Sequence, residues 1–298
     1  MHAFRRFLES SGHRPSRNQS LIMLLRTYFL IAALFAAPLV GRAEPTLLDQ
    51  GYRHLYNLEF ANAHVSFQEW EHQKPDDPMG PVSDAAAYLF SEFDRLHILQ
   101  SEFFTHDQHF ITDHKLFPDP QLKRQFQAAL AASRALAARA PGDNNALFAT
   151  VLCNGLESDY LALIEKRYGA SLLKMKAGRT LAERLLDADP TYYDAWIAVG
   201  VENYMLSVKP APLRWLLRLG GAGTDRALGI EKLKLTAEKG HYLAPFAKMM
   251  LAVAAMRENN TRQAKDLLLV LASEYPRNPL YRQELARMDP LAFRSDPQ

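Results

Sequence analysis

From residue 45 onward, apolar residues recur three and four positions apart, and no long alternating run of β-branched residues interrupts them. That spacing is the buried stripe of an amphipathic α-helix, so the pattern predicts an all-α chain. The stripe stops at Lys74-Pro75, Ala140-Pro141, Asp189-Pro190, Lys239-Gly240 and Tyr275-Pro276. Proline cannot continue a helix and disfavours helical geometry in the residue before it, and glycine is a common terminator. The stops lie 49 residues apart from Pro141 to Pro190, 50 from Pro190 to Gly240 and 36 from Gly240 to Pro276. The surplus in the middle units is assigned to long first helices at residues 83–104 and 145–167 and to connectors at 105–119 and 207–224. A last helix at about residues 279–288 (PLYRQELARM) is expected to cover the apolar face of the final pair.

Within each unit the small and bulky residues keep an order of their own. Leu47, Gly51, Ala63, Phe67 and Pro75 occur in the first unit, with Trp70 in a slot where a small residue is usual. Leu251-Ala252, Ala264, Leu268 and Pro276 repeat the spacing at the other end, with Leu271 in that slot. A third set starts at Trp196 with Val199-Gly200 and resumes after an insertion at Gly229, Leu233 and Thr236. A fourth keeps Ala129 and Pro141 but has Ser133 and Leu136 between them. This order resembles the tetratricopeptide repeat, in which small residues let paired helices approach and large ones fill the gap. The resemblance covers most of residues 44–288. It implies a helix-hairpin solenoid, a right-handed superhelix closed by a capping helix, and it implies a non-enzymatic protein that binds another protein or a peptide.

The resemblance also implies which positions face the concave groove. They are Tyr52, Leu55 and Tyr56 in the first unit, and Phe148, Leu152 and Leu156 in a long middle unit. Ile197, Val201, Tyr204 and Met205 follow, and Met249, Val253, Met256 and Arg257 come last. Family members that clamp a peptide carboxylate use Lys, Arg and Asn there, whereas this lining is apolar apart from Arg257. Either the chain fills its own groove with Leu213-Arg214-Trp215-Leu216-Leu217-Arg218-Leu219, or the groove takes an apolar peptide, helix or lipid-like molecule. Self-filling is the favoured expectation, because an open apolar channel invites aggregation. The same segment has the arginine spacing of a short interfacial helix.

The N-terminus has another character. Residues 27–40 (TYFLIAALFAAPLV) are apolar, follow Arg26 and end in Gly41-Arg42-Ala43, the parts of a secretory signal peptide. Residues 1–43 are therefore expected to be a leader cut after Ala43, with Met23 as a compact alternative start, or else a retained anchor. Residues 44–290 are then the helical domain and 291–298 a tail, with the product in the periplasm or cell envelope. Six of the 35 basic residues and one of the 33 acidic ones fall in residues 1–43, leaving 29 and 32, a net charge of −3. No basic stripe tracks a nucleic-acid backbone.

Chemistry-bearing motifs are few. Cys153 is the single cysteine, which excludes a disulfide within the chain, and it reads as core filler. His106, His109 and His114, with Asp107 and Asp113, could bind zinc or copper if their connector folds back, the basis of an alternative metal-handling or enzymatic function. A solvated loop is the expected reading, with no metal and no cofactor. A structural subunit of an envelope complex is the other alternative. Leu219-Gly220-Gly221-Ala222-Gly223-Thr224 lacks the lysine of a phosphate-binding loop and reads as a flexible connector. Glu157, Asp159, Glu165, Lys166 and Arg167 read as a solvated helix face.

Overall fold

The computed structural model describes residues 44–99 and 116–288. The expectations for the leader, the histidine connector and the tail lie outside the described residues. Among the described residues there are twelve α-helices and no strand. They are α1 (Leu47–Tyr56), α2 (Phe60–Gln73), α3 (Met79–Arg95), α4 (Pro120–Ala137), α5 (Asn144–Asp159) and α6 (Tyr168–Ala188). After them come α7 (Trp196–Ser207), α8 (Ala211–Leu219), α9 (Arg226–Lys239), α10 (Ala244–Arg257), α11 (Thr261–Glu274) and α12 (Pro279–Met288).

The helix ends have local causes. At the start of α1, the Asp49 amide donates to Thr46 Oγ1 and the Thr46 amide donates to the Asp49 carboxylate, which satisfies two otherwise orphaned donors. Asp119, Asp143, Asp225 and Asn260 cap α4, α5, α9 and α11 through their side-chain oxygens. The C-caps of α2, α6, α9 and α11 are Lys74, Asp189, Gly240 and Tyr275, the residues at which the sequence pattern stops. The capping helix runs over Pro279–Met288, as expected.

Each helix packs on the next from α1 to α12, except that α7 packs on α9 and only lightly on α8. The small residues of the pattern sit at the close approaches. A Cβ on Gly51 would stand 2.2 Å from Phe67 Cε1, and one on Gly229 would stand 2.6 Å from the Tyr204 backbone nitrogen. Phe67 and Leu233 are fully buried, so large residue and glycine interlock at Gly51–Phe67 and Gly200–Leu233, while at Gly229 the helix backbones themselves approach. Cys153 is buried as expected, and burial pushes its thiol above the ordinary range. The stretch Asn144–Ile164 is long and apolar enough to cross a membrane by length and composition, and half of its most apolar window is buried within the helical array.

The first helix also meets the far end of the chain. Tyr56 Oη donates to the Tyr242 carbonyl at 2.9 Å, and the Tyr52 and Tyr242 rings stack 4.7 Å apart. The Arg277 amide donates to Asn57 Oδ1 at 3.0 Å, and Asn278 Nδ2 donates to the Tyr56 carbonyl at 3.0 Å. Asp194 fixes the turn that makes this possible, since its buried carboxylate accepts from the amides of His241, Tyr242 and Leu243. The helices thus run in a closed circuit around a central groove.

Candidate functional site

Among the described residues the groove has two chambers. The first holds about 920 Å³, part of it open to solvent, between α1, α3, α5, α6, α7 and the start of α10. The second spans about 720 Å³, also partly open to solvent, and extends toward α10, α11 and α12. Leu55, Tyr56, Phe90 and Phe246 border both. Phe90 and Phe246 meet edge to face with centroids 6.4 Å apart, the favoured geometry of an aromatic pair, and mark the waist between the chambers.

Most of the expected lining is found there. Tyr52, Leu55, Tyr56, Leu152, Leu156, Ile197 and Val201 line the first chamber, and Met249, Val253 and Met256 line the second. Four residues do not. Phe148 is buried against the Tyr192 ring, and Tyr204 is fully buried, with its backbone lying close over Gly229. Met205 packs on the cluster around Tyr204, and the charge of Arg257 acts on the Tyr204 phenol. Residues the pattern did not assign also line the first chamber, among them Val82, Ala86 and Phe90 of α3, Met175 of α6, and Asp159.

Self-filling is corrected by the position of α8. None of residues 208–222 borders either chamber, and α8 has no buried residue. Arg214 donates to the Ser207 carbonyl at the end of α7, and Arg218 donates to Thr224 Oγ1. Those acceptors turn the arginine side of α8 toward the protein, which leaves Trp215 at 66% and Leu219 at 67% exposure. The glycine-rich segment that follows is tied down rather than free. Lys176 Nζ donates to the Gly220 carbonyl at 2.6 Å, Arg179 to the Gly221 carbonyl at 3.0 Å, and the Gly223 amide to the buried Glu202 at 2.7 Å.

The polar groups of the first chamber are few, and most are engaged. Tyr52 Oη accepts from Ser83, Tyr56 Oη donates to Tyr242, and Ser158 bonds Ser171. Burial pushes both phenols well above their ordinary range. Asp159 differs, because it makes no hydrogen bond or ion pair to another described residue. It ends α5 where the chain enters a π-turn, Tyr160–Ile164, with the Glu165 amide bonded to the Tyr160 carbonyl. Burial pushes its carboxyl up to about 7, although the residue is only half-buried, since no partner charge offsets what hydration is lost.

The expected solvated face is therefore corrected at this residue. Glu157 and Glu165 point instead into an outer cleft. Burial there acts against ionisation, but Lys174 and Arg134 hold Glu157 below its ordinary range, and Lys123 and Arg167 do the same for Glu165. Carboxylates on one short stretch are thus driven in opposite directions, on opposite sides of the helix. Away from the groove, His64 Nδ1 lies 2.5 Å from Asp84 Oδ1 and its ring lies 4.1 Å from that of Tyr88, a contact that joins α2 to α3. Burial and the Asp84 charge push the adjacent Glu71 up to about 7. Among the described residues no group of three or more His, Cys, Asp or Glu side chains could hold a metal. No protein-family model, curated protein or solved structure matches the chain.

Proposed function

We propose that the chain is an exported, non-enzymatic binding protein of the cell envelope, a divergent tetratricopeptide array whose central groove holds an extended apolar ligand. The observation that carries this reading is the groove itself: two joined chambers walled by apolar side chains and not filled by any described segment. The close helix approaches at Gly51, Gly200 and Gly229 support the repeat assignment, and the leader composition supports export. A narrow, waisted groove suits a single acyl-like chain or apolar peptide better than a folded domain. Titration of the purified protein with an apolar fluorescent dye tests this. Saturable binding at one to two dyes per chain is expected, and the absence of saturable binding overturns it. N-terminal sequencing of the envelope-located protein tests export, with Glu44 expected first.

A second reading, a scaffold for a protein partner, is favoured by the outward apolar face of α8. Pull-down from envelope extracts with wild-type protein and with Trp215→Ser tests it. Recovery of the same proteins by both forms removes α8 as the contact.

A further inference from the structure

We infer that the first chamber is a head-group site in which Asp159 holds the cationic nitrogen of an amphiphile whose apolar tail passes the Phe90–Phe246 waist toward the second chamber. The inference rests on the groove being a ligand site and adds the class of ligand: an amine-headed molecule with an apolar chain.

The chemistry of the walls decides the class. Among the described residues that line the first chamber, only Tyr52, Tyr56 and Asp159 can ionise, and the two phenols are already hydrogen-bonded. No lysine, arginine or histidine among the described residues lines it, so a carboxylate or phosphate head group would meet no cation from them and would face the Asp159 charge. The cations on neighbouring helices are taken: Lys123 and Arg134 of α4 and Lys174 of α6 pair with Glu165 and Glu157 in the outer cleft. An alcohol can donate one hydrogen bond to Asp159, but it brings no charge. An ammonium brings both, and adds to the hydrogen bond a Coulombic attraction that the alcohol lacks.

The tail's route follows from the lining. Leu55, Phe90 and Phe246 are shared with the second chamber, which adds Met249 and Val253, and Glu284 is its one charged side chain among the described residues. Methionine and aromatic side chains adapt to a flexible chain without demanding one shape. The π-turn has a place in this arrangement, because it ends the regular helix at the residue that must face the chamber.

The test uses the full chain, loaded with an apolar dye and titrated at pH 8 with dodecylamine, dodecanol and dodecanoate below their self-association concentrations. Dodecylamine is expected to displace the dye at concentrations about tenfold to a hundredfold below dodecanol, the span of a hydrogen bond to a charged group. Dodecanoate is expected to be the weakest. In Asp159→Asn the amine's advantage over the alcohol should fall to under about threefold, and an advantage kept at about tenfold or more overturns the inference. If the dye binds and all three chains compete equally, the head-group site is wrong and the groove reading survives. If no dye binds, the groove reading itself fails. Should the variant lose its helical circular dichroism, the wild-type protein still decides: the amine's advantage must shrink between pH 8 and pH 5 as Asp159 takes up its proton, and a constant advantage overturns the inference.

Discussion

Gly155 lies within α5 and lines the first chamber, and beyond its own helix backbone no heavy atom comes within 4 Å of where its Cβ would stand. Gly155→Leu therefore adds a side chain into open space rather than into a neighbour. In a helix interior glycine costs about 0.8–1.0 kcal/mol relative to good helix formers, so the variant should gain roughly that amount. For a chain of this size that is a rise in melting temperature of about 2–4 °C. The leucine side chain takes space that three to four methylenes of a bound chain would use. At about 0.8 kcal/mol per methylene, the loss is at most about 3 kcal/mol, or about a hundredfold in affinity. Thermal unfolding by circular dichroism and dye titration read the two effects separately. A variant that melts below wild type would show that the space is not open. A more stable variant with unchanged affinity would place the ligand elsewhere.

Gly229→Ala should destabilise by about 1–3 kcal/mol, because its Cβ would press on the Tyr204 backbone nitrogen at 2.6 Å, and backbone yields less readily than a side-chain tip; urea unfolding checks this. Asp159 is raised to about 7 in the folded chain, against about 3.9 unfolded, so the stability it contributes is fully present below about pH 4 and is lost as pH rises through 7. The loss is at most about 4 kcal/mol and smaller in practice, since the carboxyl borders an open groove. Asp159→Asn should thus overtake wild type in urea stability between pH 5 and pH 8, and parallel curves would count against the assignment. Deleting residues 208–222 should leave dye binding unchanged, because α8 borders neither chamber; a rise in bound dye would show that it covers the groove after all.

Features set by neighbouring residues were legible before any coordinates. Proline and glycine stops fell on the caps Lys74, Asp189, Gly240 and Tyr275, and the small-to-large order found the Gly51–Phe67 and Gly200–Leu233 interlocks. The groove positions implied by the repeat resemblance include ten residues that line the two chambers. Three things were hidden because distant groups decide them. An amphipathic stripe in α8 shows that its faces differ, but the Ser207 carbonyl and Thr224 hydroxyl determine which face docks. Asp159 resembles Glu157 in sequence, and only the placement of Lys174 and Arg134 separates a paired carboxylate from a solitary one. Tyr242, Arg277 and Asn278 lie in turns, where no periodicity announces a partner in α1.

Those turn residues also shape how the chain comes together. A linear stack of helix pairs frays from its ends, each unit opening at its own small cost. Here α1 is bonded to residues 186 to 222 positions later, so its release also breaks the seam at Tyr242 and Asn278. Opening at one terminus is felt at the other, and the slowest-exchanging amides of α1 should report the same event as those of α11. During synthesis α1 emerges long before its partners exist, and sealing contacts of such sequence separation form late. The groove is therefore the last part of the molecule to acquire its walls.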